Sequence, residues 1–400
     1  MKMKVLITTD CYVPMINGVV TSILNLENEL RRRGHEVKIL CPSENIHCTD
    51  SEDVCTIGSV SVNKIYSGAR AALCIRQKNL QKIIDWKPDI IHSQSEFTSF
   101  IMAKKIAAEV GCPIIHTYHT VYENYTHYFS PSITLGRKAV SMMTRRLLDH
   151  TQAVIAPSCK IEKMLKGYGV QQPIQVIPTG LHLEKFSEDI PQETIDELKE
   201  SLFIPLNSRV LITIGRAAKE KNIGELIRYF KRLDMENTVF VIVGGGPYLS
   251  TLKELAETEG VSDRVIFTGA VAPDRIAAYY KMGDIFLSAS QSETQGLTYI
   301  EALASGLPAV CRKDDCLNGV ISDGENGGQY TDFDEFKQLT ENILDSKEMY
   351  REMSENAVKT AQRYSAEEFA KNIESLYKDV LEKRERYETE DAFHDCENCG

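Results

Sequence analysis

The side chains best equipped for chemistry lie in four loops. The strongest is the run from Ser290 to Pro308, where Glu293 and Glu301 stand with seven residues between them. A helix is expected to start near Thr298, so unspent N–H groups of Gly296, Leu297 and Thr298 would point out of its start, where an anion is favoured. Glu301 would sit about two turns along and Glu293 just ahead of the helix, each placed to accept hydrogen bonds from sugar hydroxyls. One carboxylate beside such a cradle could be a cap; two flanking it fit a nucleotide-sugar better. A second loop, Gly215-Arg216-Ala217-Ala218-Lys219-Glu220-Lys221-Asn222, follows an apolar run directly. The guanidinium of Arg216 and the ammonium of Lys221 suit diphosphate oxygens and the charge growing on a departing phosphate. Taken alone, this loop reads equally as a solvated basic turn. The third is Asn17-Gly18, between a strand and a helix, where glycine would let N–H groups approach an anion or simply make the turn. The fourth, Gly244-Gly245-Gly246-Pro247, lacks the G-x-G-x-x-G spacing of a dinucleotide site. It reads as a tight turn near a nucleotide, with Pro247 opening the next helix.

These loops need strands and helices to hold them. Short apolar runs (Val5–Thr8, Val37–Leu40, 89–92, 113–117, Ala153–Ala156, 174–177) alternate with helical spacing, as in Val20, Ile23, Leu24, Leu26 and Leu30 before Gly34. A second series begins at Val210 and continues through 239–243, 265–267, 284–287 and 309–310. Such alternation predicts two parallel sheets, each covered on both faces. The expected fold class is α/β, with two doubly wound, Rossmann-like domains facing across a cleft and ligands beyond the carboxyl ends of the strands. The expected boundaries are an N-terminal Rossmann-like domain over 1–180, a linker over 181–207 and a C-terminal Rossmann-like domain over 208–364, which holds the loops suited to a nucleotide-sugar. A helix over 365–386 is expected to pack back on the N-terminal domain, and 387–400 to form a polar tail.

Four hundred residues exceed what one core usually serves, and 42% hydrophobic with 26% charged residues is ordinary globular composition. The net charge of −11 is unevenly spread: residues 1–180 hold 21 Lys and Arg against 15 Asp and Glu, the remainder 25 against 42. The basic half suggests an anionic partner, while the acidic total argues against nucleic acid. Eleven cysteines without ligand spacing fit reduced thiols. The single C-x-x-C of Cys396 and Cys399 lacks a second pair, so no metal site is expected. No apolar run is long enough to span a bilayer and no signal-peptide pattern opens the chain, so a cytoplasmic location is expected.

The order of these motifs resembles that of the retaining family-4 glycosyltransferases, which have the GT-B fold. Glu293…Glu301 is similar to their E-x7-E motif, and Gly215-Arg216…Glu220-Lys221-Asn222 to their donor-phosphate loop. Ile155-Ala156-Pro157-Ser158, Val176-Ile177-Pro178-Thr179-Gly180 and Phe267-Thr268-Gly269 also match. More narrowly, Asp10–Ser22, His92-Ser93-Gln94-Ser95-Glu96-Phe97 and His116-Thr117-Tyr118-His119-Thr120-Val121-Tyr122-Glu123 resemble bacterial 1,2-diacylglycerol 3-glucosyltransferases. Asn17-Gly18 replaces the Gly-Gly of many relatives, and Leu181-His182 replaces Ile-Asp. The resemblance implies that Gly18, Arg216, Lys221 and the amides of Gly296, Leu297 and Thr298 hold a diphosphate. It implies that Glu293 orients the sugar, that Glu301 takes the ribose and that His119 points toward the sugar, although a histidine at a strand end can also be merely hydrogen-bonded. It further implies UDP-glucose as donor, diacylglycerol as acceptor, no cofactor, and metal-independent front-face displacement.

The acceptor and membrane side is expected at Asn17 and in Tyr122–Leu148, where Tyr122 and Tyr125 precede Arg137, Lys138, Met142, Met143, Arg145 and Arg146. Aromatic, apolar and basic residues together suit the surface of an anionic membrane, which predicts a peripheral position on its inner face. Lys64–Lys82 adds further basic residues. A core helix with a solvated face has the same composition. The remaining alternatives are transfer to a phosphoinositide or to a soluble or polysaccharide acceptor, and a nucleotide-sugar epimerase of GT-B-like fold.

Overall fold

The computed structural model describes all residues except Ile16, 44–51, 62–69, 73–77, 124–132 and 398–400; for 61, 70–72, 78, 133 and 387–397 it describes the backbone alone. The chain divides into two units, one of Met1–Gly180 with Ala366–Gly400, the other of Leu181–Ser365.

The first unit opens with β1 (Lys4–Thr8), α1 (Gly18–Arg32), β2 (Glu36–Pro42), β3 (Val54–Ile57), and a small antiparallel pair, β4 (Ser59–Ser61) and β5 (Arg70–Ala72). It continues with α2 (Lys78–Trp86), β6 (Ile90–Ser93), α3 (Thr98–Val110), β7 (Ile114–Thr117), α4 (Ile133–Leu148), β8 (Ala153–Ala156), α5 (Cys159–Gly167) and β9 (Ile174–Val176). Seven of these strands form a parallel sheet in the order β3-β2-β1-β6-β7-β8-β9. Strand side chains alternate between its two faces. Met3, Val5 and Ile7 therefore join one apolar cluster, and Leu6 joins the opposite one.

The second unit contains α6 (Glu184–Ser187), α7 (Gln192–Ser201), β10 (Arg209–Ile214), α8 (Ile223–Leu233), β11 (Thr238–Val243), α9 (Leu249–Thr258), β12 (Val265–Gly269), α10 (Ile276–Met282), β13 (Ile285–Ser288), α11 (Leu297–Ala304), β14 (Ala309–Arg312), β15 (Gly327–Tyr330), α12 (Phe333–Asp345) and α13 (Lys347–Ala361). Its six strands are parallel in the order β12-β11-β10-β13-β14-β15. The same alternation sends Val210, Ile212 and Ile214 to one face and Leu211 to the other. Because both faces are covered, β10 and β11 are buried almost without interruption and predominantly apolar.

The closing helix, α14 (Ala366–Glu397), belongs to the first unit. Phe369, Ala370, Ile373, Leu376, Tyr377 and Val380 recur at helical spacing and are buried in the cluster on the β1–Ile7 face.

Two expectations are corrected and one strand is added. Residues 181–207 are not a linker: Leu181, Leu183, Phe186, Ile195, Leu198 and Ile204 are buried in the second unit's core. Their apolar residues are spaced among prolines and charges, which hid α6 and α7. Residues 387–397, expected as a tail, continue α14, as a stretch free of glycine and proline permits. β15 was not expected at all, because its first two residues are glycines. A Cβ on Gly327 would stand 2.0 Å from the Ala309 carbonyl oxygen, and one on Gly328 2.4 Å from Leu339. Close packing at those two positions excludes the side chains by which a strand is usually recognised.

Candidate functional site

Strand order reverses once in each unit, between β1 and β6 in the first and between β10 and β13 in the second. Open parallel sheets bind ligands at such reversals, beyond the carboxyl ends of the strands. The loops that follow these four strands hold Asn17, Arg216, Lys221, Glu293 and Gly296 among the residues singled out from the sequence.

In the second unit, β10 gives way to Gly215, an exposed Arg216, two buried alanines and a single 3-10 turn, Lys219–Lys221. Asn222 ends the turn with φ of 51° and α8 begins directly after it. Lys221 is ion-paired with Glu293 from the loop after β13, and Arg216 with Glu220. Ser290 Oγ donates to Glu293 Oε1 at 2.8 Å, and Ser292 Oγ donates to the Glu220 carbonyl at 3.3 Å, tying the two loops together. Each cation thus has a carboxylate partner that an incoming anion would displace or share.

Gly296 has φ of 81°, and a Cβ there would lie 2.2 Å from the Tyr299 ring, so glycine is required. α11 starts at the next residue, Leu297, without a side-chain cap, which leaves the N–H groups of Leu297 and Thr298 at an uncapped helix start. Glu301 is the fifth residue of α11, little more than one turn in rather than the expected two, since each turn takes about 3.6 residues. The Tyr280 hydroxyl donates to Glu301 Oε2 at 2.8 Å. Burial pushes the Glu301 carboxyl above its usual range, while that hydrogen bond and the charge of Lys185 pull it back. No motif pointed to Tyr280; it enters the site only because α10 turns it toward Glu301.

Two of the three glycines after β11 have a backbone reason. A Cβ on Gly244 would lie 1.9 Å from the Gly215 carbonyl oxygen, and one on Gly246 2.3 Å from that of Ala217. Ala217 N–H donates to the Gly245 carbonyl at 2.9 Å. The glycines let one loop lie flat against the Arg216 loop. Pro247 does not open the following helix, which begins at Leu249 after a turn closed by the Leu249 N–H on the Gly246 carbonyl at 3.2 Å.

In the first unit Asn17 caps α1, its Oδ1 accepting from Val20 N–H at 2.9 Å, and Gly18 lies in the first helical turn. Ser22 and Asn25, further along α1, bond Thr179 Oγ1 at 3.2 Å and the Gly180 carbonyl at 2.8 Å, fixing where the chain leaves this unit. His119 follows β7, its Nε2 2.6 Å from Gln94 Oε1. Burial drives its pKa down to about 4 against the raising charge of Glu96, so the imidazole is neutral near pH 7. Asp10, after β1, accepts from the N–H groups of Phe97 and Ser99 at 3.1 and 2.9 Å. Burial nonetheless pushes its pKa up to about 6. Tyr122 donates to Glu96 Oε2 at 2.6 Å, and Glu96 Oε1 lies 3.5 Å from His116 Nε2 on the fully buried His116. Asp10, Gln94, Glu96 and His116 were quoted in motifs but given no role. The reversal of strand order, visible only in the sheet, brings them together.

On α4 the exposed residues include Leu135, Arg137, Lys138, Met142, Met143, Arg145 and Arg146, with Val140, Thr144 and Leu148 buried beneath. Arg137 Nε donates to Glu123 Oε2 at 2.7 Å. Tyr125 lies outside the described residues, as do Lys64 and the other basic residues of the 62–69 and 73–77 segments. Among the described residues, no helix is long and apolar enough to cross a membrane.

Known proteins resemble this chain over nearly its whole length. A family model described as Glycosyltransferase Family 4 matches residues 16–185, and one described as Glycosyl transferases group 1 matches 194–360. The alpha-monoglucosyldiacylglycerol synthase of Streptococcus pneumoniae is 37% identical over 95% of this chain and 86% of its own length. The protein of the same name from Acholeplasma laidlawii is 31% identical over 96% of this chain and 99% of its own. Among solved structures, Anabaena HepE in complex with UDP and glucose superposes with a TM-score of 0.72 at 16% identity, over 94% of this chain and all of that one. At that identity the likeness speaks to the fold, a GT-B pair of Rossmann-like units.

Proposed function

Because the chain belongs to the family-4 glycosyltransferases, we propose that it transfers glucose from UDP-glucose to diacylglycerol, with retention at the anomeric carbon. One observation carries the reading: Lys221 and Glu293 meet where the second unit's strand order reverses, with Arg216 on the same loop as Lys221. A diphosphate arriving there takes Arg216 and Lys221 as cationic partners, with the amides at Gly296, Leu297 and Thr298 as neutral donors. Glu293, relieved of Lys221, turns to sugar hydroxyls, and Glu301, held by Tyr280, to the ribose. His119, kept neutral, exchanges a hydrogen bond with a sugar hydroxyl.

In the proposed step the acceptor hydroxyl approaches from the side of the leaving group. The bond between the anomeric carbon and the phosphate oxygen breaks, the bond to the acceptor oxygen forms on the same face, and the proton passes to the departing phosphate. The protein supplies position and fixed positive charge. Two cationic side chains do the neutralising, so the scheme calls for no divalent metal and no cofactor.

The names of the two synthases favour a lipid acceptor. The exposed Leu135, Met142 and Met143 among Lys138, Arg145 and Arg146 favour peripheral contact with an anionic leaflet, on the cytoplasmic side where nucleotide-sugars are found. Asn17 and Tyr122, at the loops of the same unit, belong to the acceptor side.

Labelled UDP-glucose incubated with diacylglycerol in mixed micelles is expected to pass its label into the organic phase as the α-anomer. Label that moves only to a soluble or polysaccharide acceptor, or to a phosphoinositide, would replace the acceptor. A sugar altered on the nucleotide without any acceptor would make the chain an epimerase. Sedimentation with anionic vesicles tests the membrane contact.

A further inference from the structure

Lys221 can serve a diphosphate only if its short turn is held still, and the turn is held from two sides. On one side Ser292 Oγ bonds the Glu220 carbonyl. On the other, Asn222, one peptide bond beyond Lys221, directs its side-chain amide at Glu225. Asn222 Nδ2 donates to Glu225 Oε2 at 3.0 Å. The same carboxylate receives Arg312 Nη1 on both oxygens at 2.7 Å, and the Tyr330 hydroxyl on Oε1 at 3.1 Å. Arg312 and Tyr330 end β14 and β15 and face each other in register. Glu225 is therefore the knot between the left-handed residue that closes the Lys221 turn and two strand ends of the sheet.

An acidic residue in the first turn of a helix has an ordinary explanation, since it complements the helix dipole. That accounts for neither the four hydrogen bonds nor their direction. A carboxylate that served the dipole alone would be free to face solvent, whereas Glu225 is 17% exposed and turned onto the strand ends. Tyr330 is itself packed against Tyr229 and Phe336, so the knot is anchored in a rigid aromatic cluster.

We propose that Glu225 is a positioning residue for Lys221: it fixes Asn222 in its left-handed conformation, and through it the turn that aims the Lys221 ammonium at the donor diphosphate. This rests on the donor-phosphate role of Lys221 given above. Glu225 touches no substrate.

The test is a double-mutant cycle read in two ways, by UDP affinity in calorimetry and by kcat/KM for UDP-glucose. Lys221→Ala, Glu225→Gln and the double variant are compared. Glu225→Gln is expected to weaken both quantities about ten- to a hundredfold, the cost of a misplaced contact, and the double variant to be no worse than Lys221→Ala alone. A purely structural Glu225 would instead multiply its loss onto that of Lys221→Ala. That result, or a Glu225→Gln within twofold of the parent, overturns the proposal while Lys221 keeps its role. If Lys221→Ala itself leaves UDP affinity and turnover unchanged, the donor-phosphate reading falls and the proposal with it. Should Glu225→Gln fold poorly, Asn222→Gly makes the same cut. Glycine accepts the positive φ and leaves the Glu225–Arg312 pair in place, so only the link to the turn is lost.

Discussion

The two points of reversed strand order carry opposite kinds of chemistry. In the second unit the groups are charged and half open to solvent: Arg216 with Glu220 and Lys221 with Glu293. In the first they are enclosed and biased against charge: burial drives His119 toward neutrality and Asp10 toward protonation, while Tyr122 bonds Glu96 and Gln94 bonds His119. One fold therefore presents two environments. Charged groups that keep contact with water can exchange partners, as the proposed displacement of a carboxylate by a diphosphate would require. Enclosed neutral donors and acceptors discriminate hydroxyls, because an unmatched polar group in a dry site costs about 1–3 kcal/mol.

The contrast is broken most sharply at Lys221. Lys221→Ala is expected to lower kcat/KM for the donor at least about a hundredfold with the fold intact by circular dichroism, and near-parent turnover would remove the charged half of the comparison.

A pH series tests the enclosed half. His119, with its pKa lowered to about 4, binds fewer protons when folded than when unfolded, so its contribution to stability is lost as pH falls from about 6.5 toward 4. Asp10, raised to about 6, binds more protons when folded, so its contribution is present below about 4 and lost as pH rises through 6. The two slopes oppose each other. Relative to the parent, His119→Gln is expected to lose stability with rising pH across this window, and Asp10→Asn to gain it, each by on the order of 2–3 kcal/mol. Urea midpoints from pH 4 to 6.5 read both signs, and two parallel curves would mean neither group is held as described.

Smaller effects sharpen the picture. Arg145→Glu with Arg146→Glu is expected to weaken sedimentation with anionic vesicles by about tenfold or more, from roughly 1 kcal/mol per basic residue, with donor affinity unchanged. Tyr280→Phe, which removes one hydrogen bond from Glu301, should raise the donor KM only severalfold; no change would detach Glu301 from the donor.

The charged half was also the more legible in sequence. Arg216, Lys221, Glu293 and Glu301 announce themselves by type and spacing within single loops. The enclosed half depends on which strands are neighbours: Asp10 and Glu96 are 86 positions apart and share a site because β1 and β6 are paired. Strand alternation exposed both sheets, since buried parallel strands are continuous apolar runs. It failed at β15, where two glycines meet packed backbone and Leu339, and over 181–207, where buried residues are dispersed among charges. Glu225 resembled any acidic residue in a first helical turn until Arg312 and Tyr330 were seen to converge on it.

The chain departs from its first unit at Gly180 and comes home at Ala366. A ribosome therefore releases everything the second unit requires before it has supplied the last piece of the first. Until Tyr377 emerges, His92 lacks the hydroxyl that sits 2.7 Å from its Nδ1, and the apolar face awaiting Phe369 and Ile373 stays bare. The usual order, in which amino-terminal domains mature first, is inverted. The first unit would be finished last, and any message cut short before codon 366 would yield a complete second unit joined to an unfinished companion.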